Sequence, residues 1–241
     1  DGDKDNVDVL TQAYKNMDAR VSKIHGWLHL PKYDSEYACV YYNPKEKAVH
    51  IGIRGSHSIH DWWHHNTQIF TSNKPGWETV AILREYLMEI SRDFPNQDLA
   101  VIGHSLSATM LKDVIGDATP KQTQVLNNID SILMVNPGSS PIGDDSSIRA
   151  ILRDDRVKLF LNKSDIISST FNTLLTEDVH FSYGEPMSNP LSAHNYRQFT
   201  SGDLEEDQEV EWGAAPFEEG AASTWEVGTD TQQGFSDFDT T

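Results

Sequence analysis

Cysteine is nearly absent from this chain: its 241 residues include one, Cys39, so no disulfide can form within it. The fold therefore does not depend on an oxidising compartment, although that leaves secretion open. Tyr37, Val40, Tyr41 and Tyr42 surround Cys39 and mark it as a buried strand thiol rather than a nucleophile. Basic residues are also scarce. Lys and Arg number 19 against 37 Asp and Glu, a net charge of −18 at pH 7. This balance argues against a nucleic-acid partner and against electrostatic docking on anionic lipid. No apolar run approaches the roughly 20 residues needed to span a bilayer, and no signal peptide is visible. The chain begins with Asp1 rather than Met, so a processed product or a fragment is expected, of unknown compartment.

The charge is unevenly placed. Residues 201–241 contain 12 acidic residues and no Lys or Arg, which leaves −6 for residues 1–200. Within 201–241, Trp212, Phe217, Trp225, Phe235 and Phe238 are spread without periodicity among Glu, Asp, Gly, Ala and Thr. Such a composition buries too little apolar surface to offset ordering entropy. Two readings follow: a disordered, solvating tail, or a peptide that folds onto a protein partner through its spaced aromatics. We therefore expect one domain over 1–200 and an acidic tail over 201–241.

Within the domain, Val7, Leu10, Ala13, Tyr14, Met17 and Val21 have helical spacing and predict a helix over 7–21. Two β-rich runs, 36–42 and 48–53, flank the turn-rich Asn43-Pro44-Lys45-Glu46-Lys47 and predict a hairpin. A long helix is expected over 77–94, with Ile82, Leu83, Leu87, Ile90 and Phe94 on one face. Strands are expected at 99–102, 129–135 and 157–161, with a short helix near 148–152. Strands alternating with helices predict an α/β fold with a mostly parallel central sheet flanked by helices. On such sheets, sites lie at the carboxyl ends of the strands.

The most informative stretch is Val101-Ile102-Gly103-His104-Ser105-Leu106-Ser107. It reads as a strand end, a tight turn and a helix start, the nucleophile elbow that lifts a serine hydroxyl above a sheet. A serine hydroxyl needs a base to take its proton as it attacks, and that base is usually a histidine oriented by a carboxylate. In α/β hydrolases the chain order is serine, acid, histidine. Asp165, directly after the strand at 157–161, is the expected acid, and a helix N-cap is its structural alternative. Asp144, Asp145, Asp154 and Asp155 read as surface and capping carboxylates. His194 is the expected base and His180 the reserve. An oxyanion would be held by the backbone N–H of Leu106 and by Ser56, which follows Gly55 at the end of another strand.

Beyond Ser56, Ile59, Trp62 and Trp63 would share one side of a short helix and suggest a hydrophobic flap; tryptophans packed under the sheet are the alternative. His57, His60, Asp61, His64 and His65 have spacings that could suit a metal. No metal is expected, because the serine machinery needs none.

Together these pieces resemble the class 3 lipases, the fungal-type triacylglycerol lipase group of serine esterases. The resemblance rests on Ile53-Arg54-Gly55-Ser56-His57-Ser58-Ile59-His60-Asp61-Trp62, Ile102-Gly103-His104-Ser105-Leu106-Ser107-Ala108, Asn136-Pro137-Gly138, Asn162-Lys163-Ser164-Asp165-Ile166-Ile167, and His194 with Tyr196. It covers about residues 20–200. It implies an α/β-hydrolase-like fold, an acyl-enzyme mechanism and no cofactor. By that likeness Ser105 is nucleophile, His194 base, Asp165 orienter, Ser56 and Leu106 the oxyanion hole, and 58–70 the lid.

Three departures stand out. Ser107 replaces the usual glycine, Lys74-Pro75-Gly76-Trp77 replaces a His-x-Gly-Phe segment, and the interval from Asp165 to His194 is short. The last implies a trimmed acyl pocket. The expected function is hydrolysis of carboxylic esters, including lipid or phospholipid acyl esters, with transient contact at a membrane surface. The alternatives are an inactive lipase-fold scaffold that binds a partner through its tail, and a serine acyltransferase using the same triad.

Overall fold

Alternation along the strands decides which elements cover each face of the sheet. The computed structural model describes residues 2–55, 77–138, 146–162, 164, 165, 168 and 180–183. Its sheet has eight strands in sequence order: β1 (Lys23–Ile24), β2 (Trp27–His29), β3 (Ala38–Asn43), β4 (Ala48–Ile53), β5 (Asp98–His104), β6 (Ile129–Val135), β7 (Val157–Leu161) and β8 (His180–Tyr183). β1 to β4 form an antiparallel meander, and β4 to β8 run parallel. Among the described residues the α-helices are α1 (Gly2–Ala13), α2 (Trp77–Asp93), α3 (Leu106–Gly116), α4 (Pro120–Leu126) and α5 (Ser146–Ile151).

Parallel neighbours joined in sequence by crossovers of one hand place every connecting helix on the same face. On that face Val49, Ile51, Val101, Ile132, Met134 and Leu159 meet Leu83, Leu87 and Ile90 of α2, Met110 and Leu111 of α3, Leu126 of α4 and Ile148 of α5. The intervening strand residues point the other way, as a period of two requires. There α1 lies across the sheet. Its Leu10, with Tyr14 just past its end, packs with Ala100, Ile102, Leu133, Val135 and Phe160. Val9 and Ala13, one step round the helix, pack with Ile24, Trp27, Cys39 and Tyr41. The Cys39 thiol donates to the Val9 carbonyl at 3.4 Å, and burial pushes its pKa up to about 12. It is a strand thiol with no thiolate to offer.

The hairpin is present as β3–β4, and the strands expected at 129–135 and 157–161 have those bounds. Two expectations need correction. The first helix ends at Ala13, not 21, and leaves Met17 48% and Val21 38% exposed. Arg20 turns back on the helix end instead: its guanidinium donates to the carbonyls of Gln12, Ser35 and Ala38. This satisfies a terminal carbonyl that a longer helix would have used. In α2, Leu83, Leu87 and Ile90 are buried, but Ile82 is 47% exposed at the edge of the apolar stripe. β1 and β2 went unforeseen because strands of two and three residues carry almost no periodic signal. The proposed tail, 201–241, lies outside the described residues. Among the described residues no helix is long and apolar enough to cross a membrane.

One buried base has a consequence for stability. The His50 ring stacks on Trp27 with centroids 3.7 Å apart, and among the described residues its Nδ1 finds no hydrogen-bond partner. Burial lowers its pKa to about 3. An unfolded imidazole titrates near 6.5, so between these values the unfolded chain binds the extra proton. The stabilisation is complete above pH 6.5 and is lost as pH falls toward 3. Between pH 6 and 5, urea unfolding should show wild type losing about 1 kcal/mol per pH unit more than His50→Leu. Parallel curves would mean that His50 charges as readily in the folded protein as in the unfolded chain.

Candidate active site

Residues at the carboxyl ends of β4, β5, β6 and β7 converge along one edge of the sheet, and the elbow stands at its centre. Ser105 joins β5 to α3 with φ 55° and ψ −117°, a backbone conformation that L-residues rarely hold. Such strain costs about 1–3 kcal/mol and persists only where the surroundings over-determine it. Here they do. The Ser105 N–H donates to the Val135 carbonyl at the end of β6, at 3.0 Å. Its own carbonyl accepts the N–H groups of Thr109 at 3.1 Å and Gly138 at 3.3 Å. The Thr109 hydroxyl donates to the Gly138 carbonyl at 2.6 Å and lies 3.0 Å from the Ser105 carbonyl. Leu106 is the first residue of α3, so its N–H has no acceptor within the helix and faces the carboxyl edge of the sheet.

Close packing holds the turn from below. A Cβ on Gly103 would stand 2.9 Å from the Ala108 nitrogen and 2.9 Å from Leu111 Cδ1. At the end of β4, a Cβ on Gly55 would stand 2.6 Å from the His104 carbonyl and 2.9 Å from Ser105 Cβ. Gly55, just past the end of β4, therefore lies directly against the elbow.

Asp165 is reached through a relay of asparagines. Asn136, at φ 40°, donates its N–H to the Phe160 carbonyl at 2.8 Å, and its Oδ1 accepts the Asn162 N–H at 3.0 Å. Asn162 in turn accepts at its carbonyl from the Asp165 N–H at 3.0 Å and at Oδ1 from the Ser164 N–H at 2.9 Å. The Asp165 carboxylate, 2% exposed, accepts the Ser168 hydroxyl at 2.6 Å. A carboxylate taken out of water in this way needs such donors.

Thus Ser105, Leu106 and Asp165 share one edge of the sheet. His194, Ser56, Ile59, Trp62 and Trp63 lie outside the described residues, as do the histidines of the suggested metal spacing. Among the described residues no group of three His, Cys, Asp or Glu is placed to hold a metal. Sequence reading passed over Tyr14, Thr109 and Ser168. Only Thr109 carried a local signal, four residues after Ser105 on the same helix face. Tyr14 receives the Gly55 N–H at 2.8 Å and contacts His104 Nδ1 through its hydroxyl. Beside it a cleft of about 480 Å³ opens, lined by Tyr14, Lys15, Met17, Asp18, Glu36 and Arg54 among others.

A mixed, mostly parallel sheet with a serine held at a strained strand-to-helix turn defines an α/β-hydrolase-like fold. No protein-family model matches the chain, and no curated protein matches it in sequence. In structure it is similar to Lip2 lipase from Yarrowia lipolytica, at 12% identity over 76% of this chain and 78% of that one, with a TM-score of 0.44. It is also similar to a Rhizomucor miehei lipase propeptide complex, at 16% identity over 82% and 77%, TM-score 0.45. A third likeness is to a mutant form of MDLA from Penicillium cyclopium, at 15% identity over 77% and 79%, TM-score 0.46.

Because Gly103 faces the backbone of α3 with no room for a methyl, Gly103→Ala should destabilise the protein by about 1–3 kcal/mol in urea unfolding. A stability unchanged from wild type would show that the elbow is free to move away from α3.

Proposed function

We propose that this chain is a serine esterase that hydrolyses carboxylic esters, lipid or phospholipid acyl esters among them, through Ser105, His194 and Asp165. The observation that carries the reading is the Ser105 backbone, strained at φ 55° and ψ −117° between β5 and α3. A strain of that kind at a serine, over-determined by contacts from the ends of β4 and β6 and from α3, is the mark of a residue held for its hydroxyl.

In this reading His194 takes the Ser105 proton as Oγ attacks the acyl carbonyl. The carbonyl oxygen becomes an oxyanion, which the N–H of Leu106 and the N–H and hydroxyl of Ser56 stabilise. His194 then gives its proton to the leaving alkoxide, so an alcohol departs and the acyl group stays on Ser105. Water repeats the sequence: His194 deprotonates it, the acyl–oxygen bond breaks, and the proton returns to Ser105 as the carboxylic acid leaves. Asp165 keeps His194 in the required tautomer and stabilises the imidazolium. Ile59, Trp62 and Trp63 supply an apolar cover for the acyl chain. No cofactor enters any step.

Labelling with a fluorophosphonate, read by intact mass, tests this directly. Wild type should gain one adduct, and Ser105→Ala should gain none while remaining folded. Asp165→Asn should slow ester turnover by roughly 10³–10⁴-fold. A folded wild type that stays unlabelled, with and without lipid vesicles, would make the chain a hydrolase scaffold without the chemistry.

A further inference from the structure

Ser107 stands where the usual elbow has glycine, and its side chain is 2% exposed yet fully engaged. The β4–β5 ladder ends with Ile53 opposite Gly103. One step beyond, the Ser107 hydroxyl accepts the His104 N–H at 3.0 Å and donates to the Ile53 carbonyl at 2.7 Å. The hydroxyl thus extends the ladder by one rung where the two strands part. It fastens the elbow to Ile53, the last residue of β4. The His104 carbonyl, 3.0 Å away, is a second acceptor for the same proton.

A second hydroxyl makes the matching tie from the other side of the sheet. Tyr14, carried by α1, accepts the Gly55 N–H at 2.8 Å and meets His104 Nδ1, with its ring set edge-on to the His104 ring at 5.7 Å between centroids. His104 is fully buried and adjoins Ser105. The would-be Cβ of Gly55, 2.9 Å from Ser105 Cβ, leaves no slack between this segment and the nucleophile. A shift of Gly55 therefore disturbs the serine it touches.

We propose that Ser107 and Tyr14 are positioning residues: their two hydroxyls lock the segment at Ile53 and Gly55 onto the Ser105 elbow and so set the position of the serine hydroxyl and the Leu106 N–H. The proposal rests on the esterase reading. On it, the serine at 107 is a working part of this elbow, and restoring the usual glycine harms the enzyme. Ser107→Gly removes the hydroxyl that the His104 N–H and Ile53 carbonyl share, and Tyr14→Phe removes the acceptor of the Gly55 N–H. Both leave Ser105, Asp165 and His194 in the chain.

The test measures kcat and KM on a short-chain ester, the fluorophosphonate labelling rate, and the urea midpoint for wild type, Ser107→Gly, Ser107→Ala and Tyr14→Phe. Rates are expressed per folded molecule. The expected result is a fall in kcat and in labelling rate of roughly 10–100-fold, with KM within about two-fold of wild type. Because both hydroxyls hold the same segment, Ile53 to Gly55, the double variant should lose little more than the worse single one. If Ser107→Gly does not fold, Ser107→Ala and Tyr14→Phe decide the matter. Wild-type kcat in folded variants, or losses that only track the unfolded fraction, would overturn the proposal, as would a double loss equal to the product of the single ones. A wild type that takes no fluorophosphonate removes the esterase reading itself, a separate outcome visible before any variant is made.

Discussion

The turn at Ser105 is the constraint around which the rest of the molecule is arranged. A serine at φ 55° and ψ −117° stays there only if its neighbours make every relaxed alternative worse. Each neighbouring strand contributes something to that end. β6 accepts the Ser105 N–H through Val135, the loop after β6 supplies the Gly138 N–H, and β4 brings Gly55 into contact with the serine Cβ. α3 begins at the next residue and fills the space beneath Gly103. The strain is local, but the forces holding it come from segments far apart in the chain.

The sheet topology makes this convergence inevitable. With β4 to β8 parallel and in sequence order, every strand delivers its carboxyl end to the same edge, and the connecting helices stack on one face. The opposite face is left to α1. Its two apolar ridges fit the two halves of the sheet, Val9 and Ala13 over β1–β3, Leu10 and Tyr14 over β5–β7. Packing of this helix therefore does more than cover apolar surface. It places one phenol beside His104, the last residue of β5, and Gly55, just past β4.

Much of the fold was legible because its signals are local. Apolar runs bounded by turn residues mark β3, β4, β6 and β7, and the Gly103–Ser105 pattern marks the elbow. The misreadings have local causes too. Met17 and Val21 continue the helical spacing by coincidence, while Arg20 caps the carbonyl at Gln12 and ends the helix earlier. At the candidate site, motif and order are enough to name Ser105, Leu106 and Asp165 as candidates. Tyr14 was not, because its partners His104 and Gly55 lie 90 and 41 residues away and no spacing rule connects them. Ser107 shows in the sequence only as a departure from a glycine position, since nothing in a sequence says what a small hydroxyl will meet.

By itself the sequence determined the class of fold, the position of the elbow and the absence of disulfides, since these depend on composition, short-range periodicity and residue type. Tertiary structure alone decided that the Ser107 and Tyr14 hydroxyls meet the ends of β4 and β5, and that Asn136 and Asn162 carry the chain to Asp165. Hydrogen bonds between remote segments depend on strand register and helix docking to a fraction of an ångström, and those emerge only once the whole core has packed.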